Sequence, residues 1–287
     1  MENQLRPIDR IEIHTLIDNY IDLVSQDNTP IVQRAIPLKD MVFRNCILAE
    51  HGFSSLVTVS EGDSNRSCLF DFGFSNGGAA SNAKALGLDL NSVEIMALSH
   101  GHLDHTGGLG ELCRLVGKKN VKLVLHPSAF IDSRFLKIAD EFKVVLPSLD
   151  MDVIEKEEIE LEQTTEPYPM LNDTVIFLGE IPRETGFEKG AANLRYMDEG
   201  EEKQDPIKDD TAIVAHLKGK GLVILSGCAH SGIINTVRYA QKVTGVEKVH
   251  MVMGGFHLTG PDMGPVVVDT IEALKEIDPD YIVPTHC

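Results

Sequence analysis

Ser99-His100-Gly101-His102-Leu103-Asp104-His105-Thr106-Gly107-Gly108 puts three imidazoles and a carboxylate within six residues. The segment follows the apolar run EIMALS and precedes a helical pattern, so it reads as a loop hung from a strand end. A loop can turn alternate side chains the same way. His100 and His102 can then grip one cation while Asp104 and His105 reach a second. Nitrogen and oxygen donors of this kind suit zinc, manganese or iron better than calcium. A histidine-rich surface turn has no need to combine this spacing with a buried strand before it and a Gly-Gly exit after it.

The elements that must position this loop are visible as short apolar, β-branched runs at 11–17, 55–60, 67–72, 94–99, 121–126, 174–179, 211–217, 221–226, 249–253 and 281–284. Helical patterns lie between them at 77–88, 108–117, 232–243 and 265–277. In the third, Ile233, Ile234, Val237 and Ala240 share one face. Strands that first follow one another and later alternate with helices predict a mixed α/β architecture with two sheets and external helices.

Composition narrows the function classes. Against 26 Lys+Arg stand 44 Asp+Glu, a formal charge of -18. Such a field repels a phosphate backbone and an anionic membrane surface, so neither nucleic acid nor membrane is an expected partner. No run approaches a membrane-spanning length, and MENQLRPIDR has no apolar leader core, which predicts a cytoplasmic protein. Cys46, Cys68, Cys113, Cys228 and Cys287 are scattered without a C-x-x-C, so neither a disulfide framework nor a zinc ribbon is indicated. The acidic stretches 155–168 and 198–210 read as solvated surface, the second as a loop.

SHGHLDHTGG resembles the H-x-H-x-D-H motif of the metallo-β-lactamase superfamily. The resemblance implies an α/β, four-layer αββα sandwich, two mixed sheets flanked by helices, with two divalent cations at one edge. Zinc is the first expectation, with manganese and iron as alternatives. FDFG, with Asp71 at a strand end, is similar to the superfamily's early Asp motif, whose role is to support the metal loop. LIDNY (16–20), AEHGFSSL (49–56), GEIPRETGFE (179–188), DDTAIV (209–214), LSGCAHSGIINT (225–236), GGFHL (254–258) and PTHC (284–287) resemble a narrower group. That group is related to 7,8-dihydropterin-6-methyl-4-(β-D-ribofuranosyl)-aminobenzene-5′-phosphate synthase. A single domain over 1–287 is expected. Relatives continue past the position of Cys287 through a Thr-Gly turn into a further helix, which leaves either a truncated chain or a naturally short protein.

A two-metal site needs more donors than the first motif holds. His230, His257 and His286 each follow a strand at a Gly-flanked turn or strand end, on the same kind of edge as His100. They are the further candidate ligands. Where the superfamily places a bridging Asp, Cys228 stands nearby. Either its thiolate binds metal and shifts preference toward softer ions, or it is a packed bystander and His230 acts instead. His51 ends a strand before a Gly turn and is placed to line the substrate pocket. Arg183, in a Pro-constrained turn, is either the anchor for an anionic substrate group or a surface partner of a nearby glutamate. His14, His216 and His250 alternate with apolar neighbours and read as core-edge or surface residues.

The chemistry expected first is that of a hydrolase acting on a small phosphorylated or ester-like anionic metabolite, two cations activating a shared hydroxide, with Asp104 binding metal and taking part in proton handling. The resemblance implies a second reading, a transferase that joins a dihydropterin methyl diphosphate to an aminobenzene ribofuranosyl phosphate and releases diphosphate. A non-catalytic metal-binding module is the third, disfavoured because nothing structural requires all four of His100, His102, Asp104 and His105.

Overall fold

The computed structural model describes residues 5–26, 28–43, 45–260 and 263–286. In chain order, β1 (Arg10–Ile17) is followed by a short hairpin of β2 (Leu38–Lys39) and β3 (Val42–Phe43), then by β4 (Ser54–Glu61) and β5 (Ser64–Phe72). Next come α1 (Gly78–Leu86), β6 (Val93–Ala97), α2 (Leu103–Thr106), α3 (Leu109–Val116) and β7 (Lys122–Leu125). A hairpin of β8 (Arg134–Ala139) and β9 (Phe142–Val145) precedes α4 (Met151–Lys156), β10 (Glu160–Gln163), β11 (Tyr168–Met170) and β12 (Val175–Phe177). The rest comprises β13 (Leu194–Asp198), β14 (Glu201–Gln204), β15 (Ala212–Leu217), β16 (Gly221–Ser226), α5 (Ile233–Thr244), β17 (Val249–Gly254), α6 (Gly264–Ile277) and β18 (Tyr281–Pro284).

Two six-stranded sheets, β1-β4-β5-β6-β7-β10 and β11-β12-β15-β16-β17-β18, make the two inner layers. A four-stranded sheet, β14-β13-β8-β9, is built from the two later hairpins. Strand alternation explains the layering. In β16, Val223 and Leu225 enter the core between the sheets with Phe70, Val124 and Phe177, while Leu222 and Ile224 meet Ile233, Val237 and Leu274 of α5 and α6 on the other face. In β5, Cys68 and Phe70 face the inter-sheet core and Leu69 faces Ala79, Leu112 and Val116 of α1 and α3. β5 and β16 are thus apolar on both sides, as a strand covered on both faces must be. The expected αββα sandwich is the observed one, and the predicted face of α5 is buried as expected.

Position of the site follows from strand direction. β5, β6 and β7 run parallel, with Phe70 opposite Ala97 and Ala97 opposite Val124. β16, β17 and β18 also run parallel, with Ser226 opposite Gly254 and Gly254 opposite Pro284. Within each group the carboxyl ends line up, which is where ligand-binding loops of such sheets collect. Asp71, His100–His105, Cys228–His230, His257 and His286 all lie at those ends.

One expectation fails here. The acidic stretch 198–210 is not a solvated loop: it contains β14 and ends on three buried carboxylates, Asp205, Asp209 and Asp210. Arg134, itself buried on β8, pairs with Asp205 and Asp209, and Asp210 accepts the Ser231 N–H, as described below.

Cys68 provides a check on the inter-sheet core. Burial pushes its thiol up to about 12 from 9.0, so the native state holds a proton that the unfolded chain releases above pH 9. The thiol's contribution is fully present below pH 9 and is lost as pH rises toward 12, at up to about 1.4 kcal/mol per pH unit. Urea melts between pH 8 and 10.5 should fall less steeply for Cys68→Ala than for the unmodified chain. Equal slopes would contradict the burial of Cys68.

Candidate metal centre

β6 delivers the first ligand loop. Ser99 and His100 are completely buried, and Asp71 fixes them from the end of β5. Its Oδ1 accepts the Ser99 N–H at 2.7 Å and its Oδ2 accepts the Ser99 hydroxyl at 2.7 Å. The same Oδ2 lies 2.7 Å from His105 Nδ1, which turns His105 Nε2 outward to 3.1 Å from Cys228 Sγ. A carboxylate on one ring nitrogen fixes the tautomer and leaves the other nitrogen's lone pair for a cation. Asp71 reaches this position through a left-handed backbone, φ 60°.

Gly101 is required by crowding: a Cβ there would sit 2.2 Å from the carbonyl oxygen of Ala129. Gly101→Ala should therefore displace the His100–His102 peptide, costing about 1–3 kcal/mol and lowering the metal content of the purified protein. Elemental analysis beside a thermal melt checks this, and an unchanged metal content would show that the loop tolerates the shift.

Donor atoms converge in two groups, each with its atoms within 4.8 Å of one another: Asp104, His105, Cys228 and His286 in one, His100, Cys228 and His230 in the other. Cys228 belongs to both. His102 lies beside the second group, its ring centroid 4.5 Å from that of His100 and 5.0 Å from that of His230. His257 packs against His230 at 4.4 Å between centroids, outside both groups. His286 Nε2 is 3.1 Å from Asp104 Oδ2, and residues near the start of the chain hold its backbone and ring. Asp18 Oδ1 accepts the His286 N–H at 2.9 Å and Asn19 Oδ1 lies 3.2 Å from Nδ1. His51 is the exposed imidazole of the rim, with Nε2 3.6 Å from Asp104 Oδ2.

The electrostatics suit cations. Burial, then the neighbouring imidazoles, holds His100 and His230 well below the ordinary histidine value, and burial together with the Arg134 charge brings His102 down to about 4. All three are neutral at pH 7, the form that binds metal. Burial opposes ionisation of Asp104, but His105 and His286 outweigh it and hold the carboxyl below its usual range. Burial likewise opposes the His105 cation, and the Asp104 and Asp71 charges reverse it, so His105 titrates above its ordinary value. His102 Nε2 and both ring nitrogens of His230 are buried without a hydrogen-bond partner. Such orphaned atoms cost about 1–3 kcal/mol each unless something binds them, and a cation on these lone pairs is what this donor set fits.

Arg183 has backbone partners that neither expectation included. Its guanidinium donates to the carbonyl oxygen of His230 at 2.7 Å and to that of Pro206, and among the described residues it makes no ion pair with a glutamate. Sequence reasoning missed Asp18, Asn19, Ser99, Arg134, Asp205, Asp209 and Asp210, all of which hold the centre. The motifs LIDNY and DDTAIV contain four of them, which was the available signal.

Comparison with known proteins shows the family. The family model described as the metallo-beta-lactamase superfamily matches residues 49–233. The chain is 30% identical over 288 residues to the 7,8-dihydropterin-6-methyl-4-(beta-D-ribofuranosyl)-aminobenzene-5′-phosphate synthase of Methanocaldococcus jannaschii, covering 98% of this chain and 88% of that one. An uncharacterized protein of the same archaeon is 31% identical over 246 residues, with 83% and 84% covered. A crystal structure of a metal-dependent hydrolase of the beta-lactamase superfamily superimposes with a TM-score of 0.72 at 24% identity, over 97% of this chain and 88% of that one.

Proposed function

The chain belongs to the metallo-β-lactamase superfamily and is an enzyme of that fold, and from that premise we propose that it is a two-metal enzyme joining a dihydropterin to an aromatic amine. The observation that carries this reading is the likeness to the archaeal synthase along almost the whole chain, which takes in both donor groups. In the proposed reaction the amine nitrogen of an aminobenzene ribofuranosyl phosphate attacks the 6-methylene carbon of a dihydropterin methyl diphosphate. A C–N bond forms, the C–O bond to diphosphate breaks, and the amine loses one proton.

His100, His102 and His230 would hold one cation, Asp104, His105 and His286 the other, and Cys228 would contribute to both. Bound there, zinc, manganese or iron would supply positive charge for the departing diphosphate oxygens. The protein's own part is orientation and proton handling. Asp71 keeps His105 in the tautomer with its Nε2 lone pair free, and Asp18 and Asn19 fix the His286 ring. His51, exposed at the rim and 3.6 Å from Asp104, is the group placed to take the amine proton.

The deciding measurement is diphosphate release by metal-reconstituted protein with and without the aminobenzene acceptor. Release that requires the acceptor supports the transferase. Release without it, or hydrolysis of small phosphorylated or ester-like metabolites, assigns a hydrolase. No turnover of either kind by protein that holds metal would point to the non-catalytic module. His51→Ala should lower kcat by about 100-fold with metal content unchanged, since general acid–base contributions are of that size. A parallel loss of metal would instead make His51 a structural support.

A further inference from the structure

The two donor groups draw on loops from different sheets. His100 follows β6 of the first sheet, whereas Cys228 and His230 follow β16 of the second. Between the sheets lies an apolar core, and hydrophobic contact is non-directional. It holds the layers together without fixing how far one loop stands from the other to the few tenths of an ångström that a coordination sphere requires.

Directional bonds across this gap come from Asp209-Asp210-Thr211, immediately before β15. Asp209 Oδ2 accepts the Gly101 N–H at 2.8 Å, in the peptide between His100 and His102. Thr211 N–H donates to the Ser99 carbonyl oxygen at 3.1 Å. Asp210 reaches the other loop: its Oδ2 accepts the Ser231 N–H at 2.8 Å, and the Ser231 hydroxyl meets its carbonyl oxygen at 3.4 Å. Asp209 lies in a turn closed by the Asp210 N–H on the Ile207 carbonyl oxygen at 3.1 Å, and Asp210 leads out of that turn toward β15, so the adjacent carboxylates serve two loops at once.

Both carboxylates are fully buried, and Asp209 is paired with an arginine. Arg134 grips Asp209 with its two terminal nitrogens, one at 3.0 Å, and Asp205 with Nε at 2.6 Å. Arg183 takes the carbonyl of His230 at 2.7 Å, so the His230–Ser231 turn is held at its carbonyl by Arg183 and at its next N–H by Asp210.

We propose that Asp209 and Asp210 are positioning residues that set the separation of the two ligand loops, and so the metal affinity of the group formed by His100, Cys228 and His230. This rests on the metal reading given above. Neither carboxylate touches the donor atoms; each acts through the backbone of a ligand loop.

The test is titration of the metal-depleted full chain with cobalt(II), followed by its visible absorption and by calorimetry. His230→Ala and His286→Ala assign the two dissociation constants to the two groups. Asp209→Ala and Asp210→Ala are expected to weaken the constant lost in His230→Ala by about 10- to 100-fold, the usual size of an effect transmitted through a ligand's support, and to weaken the other, which shares Cys228, by clearly less. Asp210→Asn, whose side-chain oxygen can still accept from Ser231, should restore most of the affinity. Unchanged constants in both alanine variants overturn the proposal, as does equal weakening of both constants, which would mark a merely structural role. Should an alanine variant fail to fold, Asp210→Leu, close in shape but unable to accept the Ser231 N–H, is read the same way, and an unchanged constant for the group with His230 overturns the proposal. An unmodified chain that takes up no cobalt overturns the metal reading instead, and shows this before any variant is measured.

Discussion

Cys228→Ala is expected to abolish metal retention at both groups and to lower turnover on the order of a thousandfold, because several kilocalories of charge stabilisation at the leaving group go with the cations. The expectation comes from one atom, since Cys228 Sγ is the donor shared by both groups. His286→Ala should behave differently and lose about one equivalent of two, because His286 belongs to one group alone. Cys228→Asp should recover binding with preference moved toward harder ions such as manganese, a carboxylate replacing a soft thiolate. Elemental analysis after reconstitution with zinc and manganese in parallel reads all three. Two equivalents retained in Cys228→Ala would make the thiol a packed bystander and leave His230 to hold its side of the centre.

A second large effect is expected in stability. Arg134 is 2% exposed at its side chain and sits between Asp205 and Asp209, themselves 2% and 0% exposed. Burial opposes ionisation of Asp209, yet the Arg134 charge and its hydrogen bonds hold the carboxyl below its ordinary value. Arg134→Met leaves two carboxylates buried without a countercharge, which costs about 3–5 kcal/mol. The sign of the pH dependence follows. With Arg134 present, the depressed carboxyl adds stability above pH 3.8 that is lost on acidification. Without it, Asp209 must take up a proton to stay buried, so the variant's deficit should be greatest near pH 7 and shrink toward pH 4. Urea unfolding of the metal-free protein across that range measures this. A deficit independent of pH would mean that lost packing, not lost charge, is responsible.

What could be read from the sequence and what could not divide along a physical line. Strand alternation and helix faces are local, so the two sheets, the helices outside them and the buried face of α5 were all legible. The first ligand loop was legible because six consecutive residues carry its chemistry. Cys228 and His230 were legible as candidates because each lies directly after a strand whose direction fixes the edge it reaches. The supports were not. Asp209 stands in a run of charges that looks the same whether it faces water or folds inward, and its partner Arg134 is 75 residues away. Asp18 and Asn19 lie 268 and 267 residues from the His286 they hold. Arg183 was read by its charge, and the two backbone carbonyls it donates to were not legible. Composition carried the opposite error: an acidic chain predicts solvated carboxylates, and here Asp71, Glu188, Asp205, Asp209 and Asp210 are all buried.

The anchoring of His286 by Asp18 and Asn19 gives the centre a temporal order during synthesis. Residues of the first sheet emerge from the ribosome early, and His100, Cys228 and His230 can meet before β18 docks. The group that includes His286 waits for β18 to bring that residue to Asp18 and Asn19. In the proposed two-metal centre the three-donor group can therefore assemble before the one that needs β18.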